Sequence, residues 1–177
     1  MAPKASDGAA RVLYWFRTDL RLHDSPALVK ALSLSPSGFF PVFCWDPGYI
    51  YNHRVGVRRF RFLLESLRDL SEEIKKINPN SQLLVVRGAP QTRIKEVCEQ
   101  WKITHLAFEE DHNEYARKRD AEVRKAFEKS GIEIVSQEGH HLYPIQEVVK
   151  KNNGQAPTSM GAYQKVRQKT FSSARRG

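Results

Sequence analysis

The chain has 177 residues, of which 40% are hydrophobic and 28% charged, and this composition suits one globular domain with a single core. No stretch approaches the roughly 18 to 20 consecutive apolar residues of a membrane helix, and the N-terminus lacks the apolar centre of a secretory signal, so we expect an intracellular protein of the nucleus or cytoplasm with no membrane partner. The net charge of +9 is concentrated in residues 150–177, which carry +7 and leave the rest of the chain nearly neutral.

Five short apolar runs rich in β-branched and aromatic residues predict five β-strands. They occupy residues 12–16, 39–45, 83–86, 104–108 and 132–135. Each run is continuous instead of alternating, which is typical of strands buried on both faces of a parallel sheet. Because Pro41 has no amide proton to donate to a neighbouring strand, we expect the second strand to begin just after it.

Helical patterns fill the intervals between these strands. The Asp-Ser-Pro sequence at residues 24–26 predicts a capped helix that runs to about residue 32. In the third segment apolar residues recur at steps of three and four between charged ones, which predicts a long amphipathic helix. Those residues are Phe60, Leu63, Leu64, Leu67, Leu70, Ile74 and Ile77. One helix after Pro90 and another over residues 114–129 complete the set.

The alternation of strands and helices predicts the fold class. We expect a doubly wound, Rossmann-like α/β domain: a five-stranded parallel sheet with helices on both faces, connected by right-handed crossovers. Residues 11–150 form this domain in our interpretation, after a disordered N-terminus over residues 1–10. Residues 151–177 contain no acids and several helix breakers, so they read as a basic linker with a short helix over residues 162–169.

Charged residues follow the first four predicted strands. The sequences at these strand ends are Arg17-Thr18-Asp19, Trp45-Asp46-Pro47, Arg87-Gly88 and Glu109-Glu110-Asp111, with Glu114 just beyond the last. In an open parallel sheet, ligands bind outside the carboxyl ends of the strands, where the strand order reverses. We therefore expect the functional site at this edge of the sheet.

Motifs for several classes of enzyme are missing from the sequence. It contains no GxGxxG after the first strand, no GxxxxGK[ST], no GxSxG and no HExxH. Cys44 and Cys98 fall inside apolar segments, which favours buried thiols over a disulfide or a metal site. The adjacent rings of His140 and His141 point apart and do not predict a shared metal ion. We accordingly predict no catalytic residue and no metal ligand.

Several segments in a fixed order resemble the photolyase/cryptochrome family. They are "WFRTDLRLHDSPAL", "FCWDP", "VGVRRFRFLLESLRDL", "VVRGAP", "FEEDHNEYARKRDAEV" and "GHHLYPIQEVVKKNNGQAPTSMGAYQKV". The similarity extends over residues 11–169 and is greatest to the (6-4) photolyases and animal-type cryptochromes. The resemblance implies that the chain is the N-terminal, antenna-binding α/β domain of a longer protein.

Members of that family carry a second, helical domain that holds FAD and, in photolyases, the damaged DNA. We therefore expect FAD only in that domain, which we expect to follow the basic linker and to be absent from this chain. The parent protein would repair UV-damaged DNA with light or act as a blue-light receptor, and this chain alone would not be catalytic. An isolated domain that normally packs against a partner domain is also expected to self-associate.

The resemblance also implies an antenna site for a deazaflavin, a folate or a flavin. A deazaflavin site would use Asp46 and Asp111, with Glu110 in the same acidic loop and with Phe43, Cys44 and Trp45 as its wall. A folate site would use Asn113 and Glu114. Ionised acids suit a chromophore rich in hydroxyl and ring N–H groups, because carboxylates only accept hydrogen bonds. Some deazaflavin binders have arginine where this chain has Thr18.

Two other interpretations stay open at this point. The chain can be a freestanding nucleotide-binding, flavin-binding or protein-interaction module of the same fold without catalysis. It can also bind nucleic acid through its basic tail, in which case the affinity should fall steeply with salt. For the charged residues after the first strand, the resemblance favours contacts between loops and domains over ligand binding; they are Arg17, Asp19, Arg21 and Asp24.

Overall fold

The computed structural model describes residues 10–34, 37–52 and 55–171, with side chains through residue 168. Its centre is one five-stranded sheet in the order β3-β2-β1-β4-β5. The strands are β1 (Arg11–Phe16), β2 (Gly38–Trp45), β3 (Leu84–Arg87), β4 (His105–Glu110) and β5 (Glu133–Glu138). All four neighbouring pairs are parallel, so the predicted α/β fold class is confirmed.

Seven helices are present among the described residues. They are α1 (Pro26–Leu34), α2 (Pro47–Asn52), α3 (Val57–Ile77), α4 (Pro90–Gln100), α5 (Glu114–Phe127), α6 (Ile145–Lys151) and α7 (Met160–Phe171). The predicted helices correspond to α1, α3, α4, α5 and α7. The two short helices α2 and α6 were not predicted, because six or seven residues are too few to show a helical period.

The core lies in two layers, one on each face of the sheet. On one face, Val12, Tyr14 and Phe16 of β1 pack with buried residues of α1 and α3. On the other face, Leu13 and Trp15 pack with buried residues of α4 and α5. Successive side chains of β1 thus point to opposite layers, as the two-residue period of a strand requires, and the predicted helices on both faces are confirmed.

The predicted start of the second strand was wrong. The strand β2 begins at Gly38, and Pro41 lies inside it opposite Tyr14 of β1. The pairing of β2 with β3 begins only at Val42, so Pro41 lies where no bond to β3 is needed. A proline is tolerated at such a position because its missing amide leaves no gap in the sheet.

The start of α1 follows the predicted capping pattern. The Ser25 hydroxyl accepts a hydrogen bond from the amide of Leu28 at 3.2 Å and also bonds with the Tyr14 hydroxyl at 3.2 Å. Asp24 precedes it with φ of 53°, in the left-handed region that Asp enters more readily than most residues. This turn redirects the chain from the end of β1 onto the face of the sheet.

Residues 140–177 form a compact unit of their own, separate from residues 1–139. Within it α6 packs against α7, and α7 includes the whole of the helix predicted over residues 162–169. The predicted domain limits stay predictions, and residues 1–9 of the expected disordered N-terminus lie outside the described part of the chain. No helix in that described part is long and apolar enough to cross a membrane.

Candidate functional site

A cleft of about 600 Å³ lies in the unit formed by residues 1–139, at the edge where the parallel strands end. It is lined by residues that follow three strands: Thr18 after β1, Asp46 after β2 and Asp111 after β4. Five of the seven predicted cofactor-binding residues line it together, namely Phe43, Cys44, Trp45, Asp46 and Asp111. The expected gathering of strand ends at one edge is therefore present.

Asp46 is held in place by two hydrogen bonds. Its Oδ1 accepts the backbone amide of Gly48 at 2.9 Å, which fixes the turn between β2 and α2. Its Oδ2 accepts the hydroxyl of Tyr115, a residue in the first turn of α5. A ligand donor that reaches Asp46 from the cleft therefore meets a carboxylate that already has one partner on each oxygen.

Asp111 organises the loop between β4 and α5. Its Oδ2 accepts the hydroxyl of Thr18 at 3.1 Å and the side-chain amide of Asn113 at 2.9 Å, and its Oδ1 accepts the backbone amide of Asn113 at 3.2 Å. Asn113 in turn caps α5 by accepting the amide of Ala116 at 2.7 Å. Asp111 therefore links the loop after β1 to the start of α5 while facing the cleft.

Aromatic side chains form one wall of the cleft. The ring of Trp45 lies 5.4 Å from that of Phe43 and 5.1 Å from that of Phe60 on α3, measured between ring centroids. Pairs at these separations stabilise each other by about 0.5–1.5 kcal/mol beyond their buried area. The wall therefore presents a firm apolar surface on which a planar ligand can stack.

Two tyrosines lie together in the cleft, and we refer to Tyr49 of α2 and Tyr115 of α5 as the tyrosine pair. Their ring centroids are 5.2 Å apart with an interplanar angle of 52°. Arg59 of α3 donates to the Tyr49 hydroxyl at 2.7 Å, and Arg119 lies over the Tyr115 ring at 5.8 Å. The tyrosine pair thus connects α2, α3 and α5 around the cleft.

Two arginines that line the cleft share one carboxylate. Asp120 pairs with Arg17 at 2.5 Å and with Arg119 at 2.9 Å, and Arg17 also donates to the carbonyl of Glu109. Both guanidinium groups lie over the Trp15 ring, at 5.1 and 5.0 Å. Burial lowers the pKa of Arg17, the neighbouring Arg119 lowers it further, and Asp120 opposes the change. The ion pairs with Asp120 offset part of the desolvation cost of burying the two guanidinium groups.

The thiol of Cys44 is unsuited to nucleophilic chemistry. Burial, reinforced by the negative charge of Asp46, raises the pKa of Cys44 to about 12. Its Sγ donates weakly to the carbonyl of Gly88 at 3.5 Å. At neutral pH this thiol is protonated, so Cys44 contributes an apolar surface to the cleft and not a reactive group.

The remaining two predicted residues, Glu110 and Glu114, lie outside the cleft lining. Glu110 accepts from the hydroxyl of Ser136 at 2.5 Å and from Arg124 at 3.1 Å, and so ties β4 to β5 and α5. Glu114 is 77% exposed and pairs with Lys118 one turn along α5 at 2.8 Å. The hydrogen bond from Lys118 lowers the pKa of Glu114. A ligand role for either residue stays a prediction.

Several polar or aromatic residues of the cleft were not predicted from the sequence, and five of them make the contacts described above. They are Tyr49, Arg59, Phe60, Tyr115 and Arg119. The sequence did contain a signal for the two residues of α5. Tyr115 and Arg119 are four residues apart, so they lie on one face of the helix, and the helix begins close to the end of β4, where the site was expected. The contribution of α2 and α3 depends on tertiary packing and has no comparable local signal.

Comparisons with known proteins agree on one family. The family model described as DNA photolyase matches residues 12–176. Cryptochrome-2 of Gallus gallus is 37% identical over 168 residues, which is 94% of this chain and 28% of that protein. The (6-4)DNA photolyase of Arabidopsis thaliana is 37% identical over 163 residues, 87% of this chain and 29% of that protein. The chain thus spans less than a third of the length of these relatives.

Solved structures show the same relationship. An archaeal photolyase from Sulfolobus tokodaii, described with two FAD molecules and a novel light-harvesting cofactor, has a TM-score of 0.76, 28% identity, and coverage of 89% of this chain and 35% of that one. A Synechocystis cryptochrome also has a TM-score of 0.76, with 25% identity, covering 97% of this chain and 34% of that one. The chain belongs to the DNA photolyase family, and it corresponds to the N-terminal α/β domain that its photolyases and cryptochromes share.

Proposed function

We propose that the cleft binds a planar antenna chromophore of the flavin or deazaflavin type. The observation that carries this proposal is the placement of the aromatic wall of Trp45 and Phe60 beside two carboxylates, Asp46 and Asp111, in a cleft at the carboxyl ends of the strands. Such a chromophore absorbs near-UV or blue light and passes the excitation to FAD.

The size and polarity of the cleft fit such a ligand. Its volume of about 600 Å³ falls within the range of roughly 300–1,000 Å³ that is usual for small-molecule sites. The aromatic wall suits the face of a fused ring, and the carboxylates suit ring N–H and hydroxyl groups. This combination of stacking and hydrogen-bond acceptors is what a polyhydroxylated ring system requires.

A flavin or deazaflavin suits these residues better than a folate. The structure divides the expected folate pair: Asn113 lines the cleft and its side chain caps α5, whereas Glu114 lies outside the lining, exposed and paired with Lys118. Thr18, which stands where some deazaflavin binders have arginine, donates its hydroxyl to Asp111. Arg119 also lines the cleft, where its guanidinium pairs with Asp120 at 2.9 Å. The light-harvesting cofactor described for the Sulfolobus tokodaii photolyase supports the same choice.

For the whole protein we propose light-driven repair of DNA or blue-light signalling. In this proposal the partner of the α/β domain is an FAD-binding helical domain of the same parent chain, and damaged DNA is reached through that domain. This chain contributes the antenna site and no catalytic group. The relatives include both a (6-4) photolyase and cryptochromes, so the proposal covers both activities.

An absorption spectrum before and after loading tests the proposed chromophore site. The purified chain is mixed with FMN, with a deazaflavin or with a reduced folate, and is then separated from free chromophore by gel filtration. We expect a near-UV or blue band to travel with the protein after loading with a flavin or deazaflavin. A protein fraction that remains colourless with all three would contradict the proposal.

A further inference from the structure

We propose that Tyr115 competes with the chromophore for the carboxylate of Asp46, and so determines which chromophores the cleft accepts and how tightly. This inference rests on the proposed chromophore site and adds a specificity-determining residue to it. It follows from one contact, the hydrogen bond from the Tyr115 hydroxyl to Asp46 Oδ2 across the cleft.

The contact engages the oxygen that a ligand would need. Asp46 Oδ1 is turned toward its own loop, where it accepts the amide of Gly48 at 2.9 Å. Oδ2 is the oxygen that accepts from Tyr115, and both Asp46 and Tyr115 line the cleft. A ring N–H or hydroxyl that approaches Oδ2 therefore meets the Tyr115 hydroxyl at the same atom. In this proposal the ligand donor takes the place of the Tyr115 hydroxyl, so binding exchanges one hydrogen bond for another.

This exchange makes the cleft selective. A hydrogen bond to an ionised carboxylate is among the stronger ones in proteins, so its loss must be offset by the incoming donor and by stacking. A ligand that places a good donor at Oδ2 and stacks on Trp45 can displace the tyrosine hydroxyl. A ligand that lacks either feature leaves the Tyr115 bond in place and binds weakly. A chromophore therefore binds tightly only if its own contacts with the cleft are stronger than the Tyr115–Asp46 hydrogen bond that it displaces.

The ring of Tyr115 is held independently of its hydroxyl. It packs against Tyr49 at 5.2 Å, and Arg119 lies over it at 5.8 Å. Tyr49 is itself fixed by Arg59 at 2.7 Å. The substitution Tyr115→Phe therefore removes the competing donor and keeps the ring contacts, which makes it a clean test. Tyr51→Phe is a matched control, because Tyr51 is 71% exposed on α2 and does not line the cleft.

The test is a fluorescence titration of FMN with the purified 177-residue chain. The variants are Tyr115→Phe, Asp46→Asn, the double variant that combines them, and Tyr51→Phe. We expect Tyr115→Phe to bind FMN roughly tenfold more tightly than the unsubstituted chain, which corresponds to about 1.4 kcal/mol. In the Asp46→Asn background the same substitution should change the affinity little, because the carboxylate for which Tyr115 and FMN compete is absent. Tyr51→Phe should bind like the unsubstituted chain.

Three other outcomes would overturn the inference, and they can be told apart. If the chain binds FMN and Tyr115→Phe binds equally or more weakly, Tyr115 is not a competitor, while the proposed chromophore site stands. If Tyr115→Phe tightens binding equally in the Asp46→Asn background, the effect does not pass through Asp46. If no variant binds FMN, the proposed site fails and this inference fails with it.

Discussion

The guanidinium of Arg17 at the end of β1 pairs with the carboxylate of Asp120 on α5, and the two side chains are only 5% and 11% exposed. Asp120 also accepts from Arg119, so a single buried carboxylate serves two guanidinium groups. This pair joins a strand end to the helix that supplies Tyr115 to the cleft. The charged segment after the first strand is therefore partly an internal connection, as expected for Arg17.

Loss of Asp120 should destabilise the domain strongly. The substitution Asp120→Ala leaves two buried guanidinium groups without their carboxylate, and breaking a buried ion pair in this way costs about 3–5 kcal/mol. Urea unfolding followed by circular dichroism measures the change. Glu114→Gln on the same helix is the control, because its ion pair with Lys118 is exposed to solvent and so contributes little to stability. Equal effects of the two substitutions would contradict this account of Arg17.

Gly88 should not tolerate a side chain. Its φ of 144° is outside the range that other residues adopt easily, and a Cβ at this position would lie 2.3 Å from Cγ of Arg93. Its amide also donates to the carbonyl of Trp45 at 2.9 Å, which fixes the end of β2 at the cleft. We expect Gly88→Ala to lower the free energy of unfolding by about 1–3 kcal/mol.

Gly56 provides the comparison for that substitution. A Cβ at Gly56 meets nothing within 4 Å, and its φ of −68° is open to any residue. Gly56→Ala should leave the free energy of unfolding within about 1 kcal/mol of the original value. Thermal melts of the two variants test the contrast, and a Gly88→Ala variant as stable as Gly56→Ala would refute it.

The buried thiol of Cys98 should make stability fall in alkaline solution. Burial raises the pKa of Cys98 to about 12, whereas the pKa of a cysteine thiol in an unfolded chain is about 8.5. The folded pKa is the higher one, so this contribution is complete below about pH 8.5 and is lost as the pH rises toward 12. The Cys98→Ala variant should therefore lose stability less steeply above pH 9, by up to about 1.4 kcal/mol per pH unit. Parallel curves of unfolding free energy against pH would contradict this.

Exposed apolar side chains near the start of α3 should promote self-association of the isolated chain. Tyr51, Val57 and Phe62 are 71%, 78% and 70% exposed. Apolar surface of this kind often marks an interface. Light scattering should show a mass that rises with concentration, and Phe62→Ser should reduce the rise. Val29→Ser, at a position 67% exposed on α1, should have less effect. A constant monomer mass at all concentrations would count against the prediction.

The sheet and its long helices were predictable because their signals are local. Continuous apolar runs mark strands that are buried on both faces. Within the predicted apolar stripe of α3, Leu67, Leu70 and Ile74 are buried, whereas Leu64 and Ile77 are 47% and 76% exposed. The error at Pro41 arose because the rule against proline assumes a neighbouring strand on each side. Whether Pro41 has a neighbour on that side depends on where the pairing with β3 begins, and this is set by the sheet and not by the sequence around Pro41.

The cleft was predictable only in part. Asp46 and Asp111 directly follow buried strands, so the topology alone brings them to one edge. Glu110 is the last residue of β4, but its side chain bonds to Ser136 of β5 and Arg124 of α5. Adjacent residues of a strand point to opposite faces, and the sequence does not say which face is the cleft. The role of Tyr115 as the partner of Asp46 joins residues 69 positions apart, which no local pattern reveals.

A crystal structure of the chain grown with FMN tests the proposed chromophore site most directly. We expect electron density for the ring system in the cleft, stacked on the side of Trp45 and Phe60, with hydrogen bonds to Asp46. Tyr115 should then have withdrawn its hydroxyl from Asp46. A flavin bound elsewhere on the domain, or a cleft that holds none at saturating FMN, would refute the proposed chromophore site.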